Sequence, residues 1–248
     1  MSLWVVGAGS MALDYVKVLN ELGRDFTVVG RGEESAHSFF RSTGISALTG
    51  GVKRHIVNDV PEYAIVAVPV EALEETTSAL ALAGVKRILV EKPGALSHSS
   101  MKHLASLVRK NETEVFVAYN RRFYSSVIAA RQQIEQDGGL LSAHFEFSEW
   151  SHVIERVHHG SKVKDCWVLA NSSHVIDLAF HFMGRPSDWK TWIAGKLAWH
   201  TSAARFSGAG ISTKGVLFSY ISDWEAPGRW GLELMTRHHR IILRPMES

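Results

Sequence analysis

The chain has one cysteine, Cys166, among 248 residues, and a formal net charge of only +2. A single cysteine excludes an intrachain disulfide and fits a reducing compartment, so a cytoplasmic location is expected. Cys166 itself is expected to be a packed thiol, not a nucleophile. So small a charge gives no field to attract nucleic acid or an anionic membrane, and neither is expected as a partner. No apolar run reaches the roughly 20 residues a bilayer-spanning helix needs, and no basic, apolar leader precedes the first strand. Internal repeats and low-complexity linkers are absent as well. Metal-site spacing is also missing. The pairs His158–His159 and His238–His239 are adjacent residues that cannot share one helical face, and no carboxylate or cysteine completes a set, so no metal is expected. What is left, 46% hydrophobic and 21% charged, is an ordinary globular composition in a chain long enough for two modest domains.

The stretch that is there from the start is Leu3–Ala12, LWVVGAGSMA. Leu3–Val6 reads as a buried parallel strand. Gly7, Gly9 and Ala12 fit the dinucleotide fingerprint: a tight turn, a close approach for pyrophosphate, and a small residue where helix packs on strand. Ser10 and Met11 open the helix, whose free N–H groups would face the pyrophosphate, and Gly23 stops it. A second strand, Phe26–Val29, leads to Gly30–Arg31, where an NAD-preferring site usually carries an acid. Gly30 leaves room and Arg31 can clasp a 2′-phosphate, so NADP(H) is favoured, with NAD(H) as the alternative.

From His37 to Val60 the pattern supports only a short helix and one strand. Tyr63–Val70 reads as a strand ending in Pro69, Glu71–Ala83 as a helix, and Arg87–Val90 as a strand entering Glu91–Lys92–Pro93. Ser97 is a good N-cap for the next helix, and Val115–Ala118 is a further strand. This alternation predicts a doubly wound parallel sheet. Past Asn120 the period changes. Ser125–Gln136 and Ser172–Phe182 read as helices. Ala143–Trp150, Trp189–Ala194 and Val216–Trp224 alternate like strands with one wet face, and Leu232–Met235 and Arg240–Leu243 look like a hairpin. Gly208–Ala209–Gly210 reads as another hairpin turn, and the tryptophans as sheet packing. The fold class expected is therefore α/β, with a second α+β domain built on an open, mostly antiparallel sheet.

Two side chains could do chemistry. Lys92 stands just past the C-terminal end of a strand, where open α/β sheets bind ligands, and can steady developing oxyanion charge. Its bland alternative is a surface lysine paired with Glu91. His174 falls at the expected start of a helix, whose N-terminal field would suit an imidazole that exchanges protons near neutrality. By itself such a histidine is more often structural.

GAGSMA, the strand ending AVPV, EKPGALS before a helix, AYNRRF and SSHVIDLAFHFMG occur in this order. With them the chain resembles, over nearly its whole length, the family of glucose–fructose oxidoreductase, inositol dehydrogenase and rhizopine catabolism proteins (Gfo/Idh/MocA). The resemblance implies a Rossmann domain over residues 1–120 and a substrate-binding and oligomerising α+β domain over 121–248. It also implies a homodimer or homotetramer, and hydride transfer at a sugar or cyclitol carbon. By position Lys92 matches the catalytic lysine and His174 the general acid/base. Glu91, Pro69 and Asn120 fall beside the cofactor, and Arg122 and Asn171 toward the substrate. Two departures stand out. Ala170 occupies the place of a common aspartate four residues before the histidine, and the chain is shorter than most members, so part of the usual C-terminal domain is expected to be missing. The HFEFSEWSHVIE segment, with AYNRRFYSS, is similar to members of surface-polysaccharide and nonulosonic-acid pathways, which implies a nucleotide-linked or acidic keto sugar. The expectation is an NADP(H)-dependent reductase of a sugar carbonyl. Its rivals are a dinucleotide-binding sensor without turnover, and a lyase or epimerase that keeps its cofactor bound.

Overall fold

A computed structural model describes residues 2–157 and 160–246. The chain divides into two compact units, one running through Ala118 and the other beginning at Tyr119. In the first, the order is β1 (Leu3–Val6), α1 (Ser10–Glu21), β2 (Thr27–Val29), α2 (Glu33–Thr43), β3 (Ala47–Leu48), α3 (Val52–His55), β4 (Tyr63–Val66), α4 (Leu73–Leu82), β5 (Arg87–Val90), α5 (His98–Lys110) and β6 (Glu114–Val117).

These strands form one parallel sheet in the order β3-β2-β1-β4-β5-β6. The central strands are apolar on both sides because helices cover both faces. Trp4 and Val6 of β1 pack with Leu73, Leu80 and Ile88, whereas Val5 packs with Ala12, Val16 and Phe39. Each such fully buried side chain contributes roughly 1.5–3 kcal/mol. The register Val6↔Val66↔Val90 aligns the ends of three central strands, so Gly7, Ala67 and Glu91 follow at one edge of the sheet. The chain order reverses between β1 and β4, the switch point at which such sheets bind ligands.

The local signals hold in detail. Ser97 Oγ accepts from the Ser100 N–H at 3.0 Å, capping α5 and worth about 1 kcal/mol. The weakly patterned stretch after Arg31 holds more helix than its pattern predicts. α2 begins at Glu33, with two glutamates in its first turn favoured by the helix dipole, and ends on Gly44 at φ 71°. α3 is a further short turn. The helix expected at Glu71 starts as a 3-10 turn, Val70–Ala72, before α4.

The second unit contains a 3-10 turn (Asn120–Phe123), α6 (Ser125–Gln136), β7 (Ser142–Glu146), α7 (Ser151–Ile154) and α8 (Ser161–Asp165). A π-helical turn (Val168–Ser172) then runs into α9 (Ser173–Met183), followed by β8 (Pro186–Ala194), β9 (Arg205–Ser212), β10 (Leu217–Asp223), β11 (Gly231–Met235) and β12 (Arg240–Leu243). Its sheet runs β12-β11-β7-β10-β9-β8, antiparallel except for the parallel pair β7 and β10. One face packs against α6 and α9 through Phe145, Phe218, Leu232, Val127, Leu178 and Phe182. The other presents Leu217, Ile221, Ile211 and Trp192 to solvent.

Two expectations about this unit are corrected. Gly208–Ala209–Gly210 lies inside β9, and the turn to β10 comes later, around Gly215 at φ 77°. The two glycines serve cross-strand neighbours: a Cβ at Gly208 would stand 2.4 Å from Tyr220, and one at Gly210 2.5 Å from the Trp189 Cβ. The tryptophans also divide. Trp224 and Trp167 are buried, but Trp189 and Trp192 are exposed on the edge strand β8. Cys166 is half-buried at the break between α8 and the π turn.

Candidate functional site

At the edge of the first sheet the glycine turn has the shape that a dinucleotide requires. Gly7 sits at φ 127°, and a Cβ there would lie 2.2 Å from the Ala67 carbonyl oxygen, so only glycine fits. Gly9 is the opposite case: a Cβ would meet nothing within 4 Å, and its backbone is open. No side chain caps α1 at Gly9, and Gly9, Ser10 and Met11 are exposed around its first-turn N–H groups. An uncapped, exposed helix start behind a glycine that only close packing explains fits a bound pyrophosphate.

The other sequence candidates of this unit gather at the same edge. Pro69 is exposed just beyond β4, and Glu91 and Lys92 follow β5. Tyr15 Oη on α1 donates to Glu91 Oε1 at 2.7 Å, so the helix behind the glycine turn is tied to the turn that carries Lys92. Burial, with the Glu91 carboxylate beside it, pushes the Tyr15 hydroxyl above its ordinary value and keeps it a donor. Arg31 is exposed past β2 and close enough to Glu75 to help lower that carboxyl, after Lys53, which pairs with Glu75 at 2.5 Å. Gly30 also meets a packing constraint. It is buried, and a Cβ would press on that of Ala8 at 3.2 Å.

In the second unit, Tyr119, Arg121, Arg122, His174 and Trp230 form one cluster. His174 is 8% exposed, with the Tyr119 ring edge-on at 6.0 Å and the Trp230 ring at 6.1 Å. Arg121 lies over the Trp230 ring at 5.0 Å and Arg122 over Tyr119 at 5.8 Å. Arg122 is held in a two-pronged pair by Asp177, Nε to Oδ2 at 2.7 Å and Nη2 to Oδ1, so part of its charge is already matched. Asn120 opens the 3-10 turn that carries both arginines. The helix-end argument for His174 is corrected: the π turn runs directly into α9 with Ser172 already in the helical region, so His174 is not in a free first turn. π turns are frequent at functional sites, and this one carries Asn171.

Glu149 is a residue the sequence reading did not single out. It is 8% exposed, and its Oε1 accepts from Asn171 Nδ2 at 3.0 Å and from Ser172 Oγ at 2.9 Å. A signal for it existed: Ala143, Phe145 and Phe147 are buried at every second position, and Glu149 continues that parity. Asp177, by contrast, is 55 residues from Arg122, and no spacing announces the pair. Among the described residues no group of three or more histidine, cysteine or carboxylate side chains could hold a metal ion, and the His158–His159 pair lies outside them. No described helix is long and apolar enough to cross a membrane.

Residues 1–119 match the model of an oxidoreductase family with an NAD-binding Rossmann fold, GFO_IDH_MocA. No curated protein gives a significant match. Among solved structures, the chain is similar to the WlbA dehydrogenase from Bordetella pertussis in complex with NADH and UDP-GlcNAcA. The TM-score is 0.81 and the identity 13%, over 98% of this chain and 77% of that one. An oxidoreductase from Agrobacterium radiobacter in complex with NAD+, L-tartaric acid and magnesium gives a TM-score of 0.81 at 14% identity, covering 98% and 74%. Levoglucosan dehydrogenase in complex with NADH and levoglucosan gives 0.78 at 20%, covering 98% and 72%. At these identities the likeness is one of fold. The glycine turn and the family match both fall within residues 1–119, so this stretch is similar to the NAD-binding Rossmann fold of the Gfo/Idh/MocA oxidoreductases.

Proposed function

We propose that this protein is a nicotinamide-dinucleotide-dependent oxidoreductase acting on a sugar or nucleotide-sugar carbonyl or carbinol. The observation that carries the reading is the convergence of the open Gly9 turn, the uncapped start of α1 and the Glu91–Lys92 turn at one edge of the sheet. The N–H groups near Gly7, Gly9, Ser10 and Met11 would hold the pyrophosphate, with Pro69, Glu91 and Asn120 bordering the rest of the cofactor. Arg31 favours NADP(H), although the similar structures hold NADH or NAD+. When bound, the dinucleotide supplies or accepts the hydride.

The chain's own residues do the remaining work. The Lys92 ammonium steadies the oxygen on which negative charge develops. His174, in its aromatic surround, exchanges the hydroxyl proton. Arg122, oriented by Asp177, keeps N–H donors for substrate hydroxyls, and Asn171, whose Nδ2 is turned to Glu149, offers its amide oxygen. The wet sheet face with Leu217, Ile221 and Trp192 is assigned to homodimer or homotetramer formation.

Ala170 favours one rival, a sensor that binds dinucleotide without consuming it, because it brings no carboxylate toward His174. The deciding experiment adds NADPH or NADH, follows tryptophan quenching, and then assays turnover on UDP-GlcNAcA, levoglucosan and a set of keto sugars. The expected result is turnover that Lys92→Ala and His174→Ala each reduce about 100-fold or more, with dinucleotide affinity kept. Full turnover in either variant removes that residue from the mechanism. Saturable binding with no product from any substrate establishes the sensor.

A further inference from the structure

A cleft of about 300 Å3 lies wholly within the second unit, lined by Trp150, Trp167, Trp230, Ile154, Asn171 and Glu149. Its size suits a small-molecule ring, and three of its lining side chains are indoles. Glu149 is out of place among them unless it has a task. Burying a carboxyl is unfavourable, and an apolar side chain of similar volume would stabilise the fold at least as well.

The geometry shows what that carboxyl organises. Asn171 Nδ2 reaches both of its oxygens, at 3.0 and 3.3 Å, and Ser172 Oγ donates to Oε1. The Trp230 and Trp167 indole N–H groups also lie close enough to favour its ionised form. An ionised carboxylate can only accept, so it fixes the Asn171 amide with nitrogen toward Glu149 and carbonyl oxygen away from it. Two donors, Asn171 Nδ2 and Ser172 Oγ, use its acceptor sites, with the two indoles close by. Glu149 is therefore occupied in holding its neighbours, and Asn171 Oδ1 is the acceptor it sets free.

We propose that Glu149 is the positioning residue of a subsite for a hydroxylated ring, fixing Asn171 and Ser172 beside the Trp167 and Trp230 walls so that Asn171 Oδ1 receives a ring hydroxyl while the C–H faces stack on indole. The identity of the ring rests on the sugar-oxidoreductase reading; the organising role of Glu149 does not. Burial raises the Glu149 carboxyl above its ordinary value despite its donors, so it takes up a proton at a higher pH than an exposed glutamate. A protonated Glu149 becomes a donor on one oxygen, and one of its neighbours then loses its acceptor. The other charged or titratable groups against these walls are His152 on Trp150, Arg229 over Trp150, Arg121 over Trp230 and His174 beside Trp230.

The test uses the full chain, labelled with 15N, in two arms. Without ligand, the indole N–H resonances of Trp167 and Trp230 are followed against pH. They should shift together with one midpoint above the ordinary glutamate range, and Glu149→Gln should abolish that shared titration. Two separate midpoints, or a titration that survives Glu149→Gln, overturn the organising role. In the second arm, levoglucosan and UDP-GlcNAcA are titrated by tryptophan emission, with NADH as control. Glu149→Gln and Ser172→Ala should weaken sugar binding about tenfold and about threefold, leaving NADH affinity within about twofold. Equal sugar binding in wild type and Glu149→Gln, or saturable binding of neither probe by the wild type, overturns the subsite. Loss of NADH binding by the wild type strikes instead at the oxidoreductase reading.

Discussion

Tyr15 on α1 and Glu91 after β5 meet at 2.7 Å, hydroxyl to carboxylate, across 76 residues of sequence. The bond joins the helix behind the glycine turn to the turn that carries Lys92, the two motifs of the proposed cofactor site. Tyr15→Phe removes the donor while keeping the ring, so stability should fall by about 1 kcal/mol. NADH affinity should fall about threefold as the Glu91–Lys92 turn loosens. Thermal denaturation and a fluorescence titration on the same protein check both.

The two glycines of the turn should behave in opposite ways. Gly7→Ala meets the Ala67 carbonyl at 2.2 Å from a left-handed backbone, so it should destabilise the fold by about 3 kcal/mol or more. Gly9→Ala has an ordinary φ of −103° and open space, so its stability should stay within about 0.5 kcal/mol of wild type. Its dinucleotide affinity should nevertheless drop at least about tenfold, because the new methyl occupies the approach to the amides. Urea denaturation separates the first effect from the second.

The proposed preference for NADP(H) rests on Arg31. Arg31→Ala should weaken NADPH binding about tenfold and leave NADH within about twofold. Equal loss for both would assign Arg31 to the Glu75 and Lys53 cluster alone.

Asp137 gives a pH signature. Hydrogen bonds from Thr236, then His239, hold its carboxyl down at about 2. A depressed folded-state value contributes stability that is present above the ordinary aspartate range and lost as pH falls through about 2. Asp137→Asn should therefore melt below wild type at neutral pH, and the gap should close between about pH 4 and about pH 2. Paired melting curves across that range check the sign.

Trp192, more than half exposed on the wet sheet face, tests self-association. Trp192→Lys should shift sedimentation toward monomer, whereas an unchanged oligomer would move the interface elsewhere.

Legibility in the sequence followed the range of the physics. The glycine turn, the Ser97 cap and the exact helix Ser125–Gln136 depend on neighbours within a few residues, and each could be read directly. Gly208 is misread, and Gly30 read only in part, because a glycine reports that something approaches without saying what. In the fold the neighbours are Ala8 and Tyr220. The π turn before His174 replaces a helix start with continuous helix, and no residue pattern distinguishes the two. Glu149 could be read only as a break in an alternation. Its partners lie 22 and 23 residues onward, beyond any periodicity.

The parallel pairing of β7 with β10 sets a timetable for synthesis. The first sheet uses strands from one uninterrupted stretch of chain and can close as soon as β6 has left the ribosome. β7 emerges soon afterwards, yet its neighbours on both sides, β10 and β11, are made more than 70 residues later. Until then its apolar side chains Ala143 and Phe145 and both strand edges wait uncovered, the state most open to mispairing with other chains. Nascent chains arrested after β9 should therefore resist protease in the first unit alone.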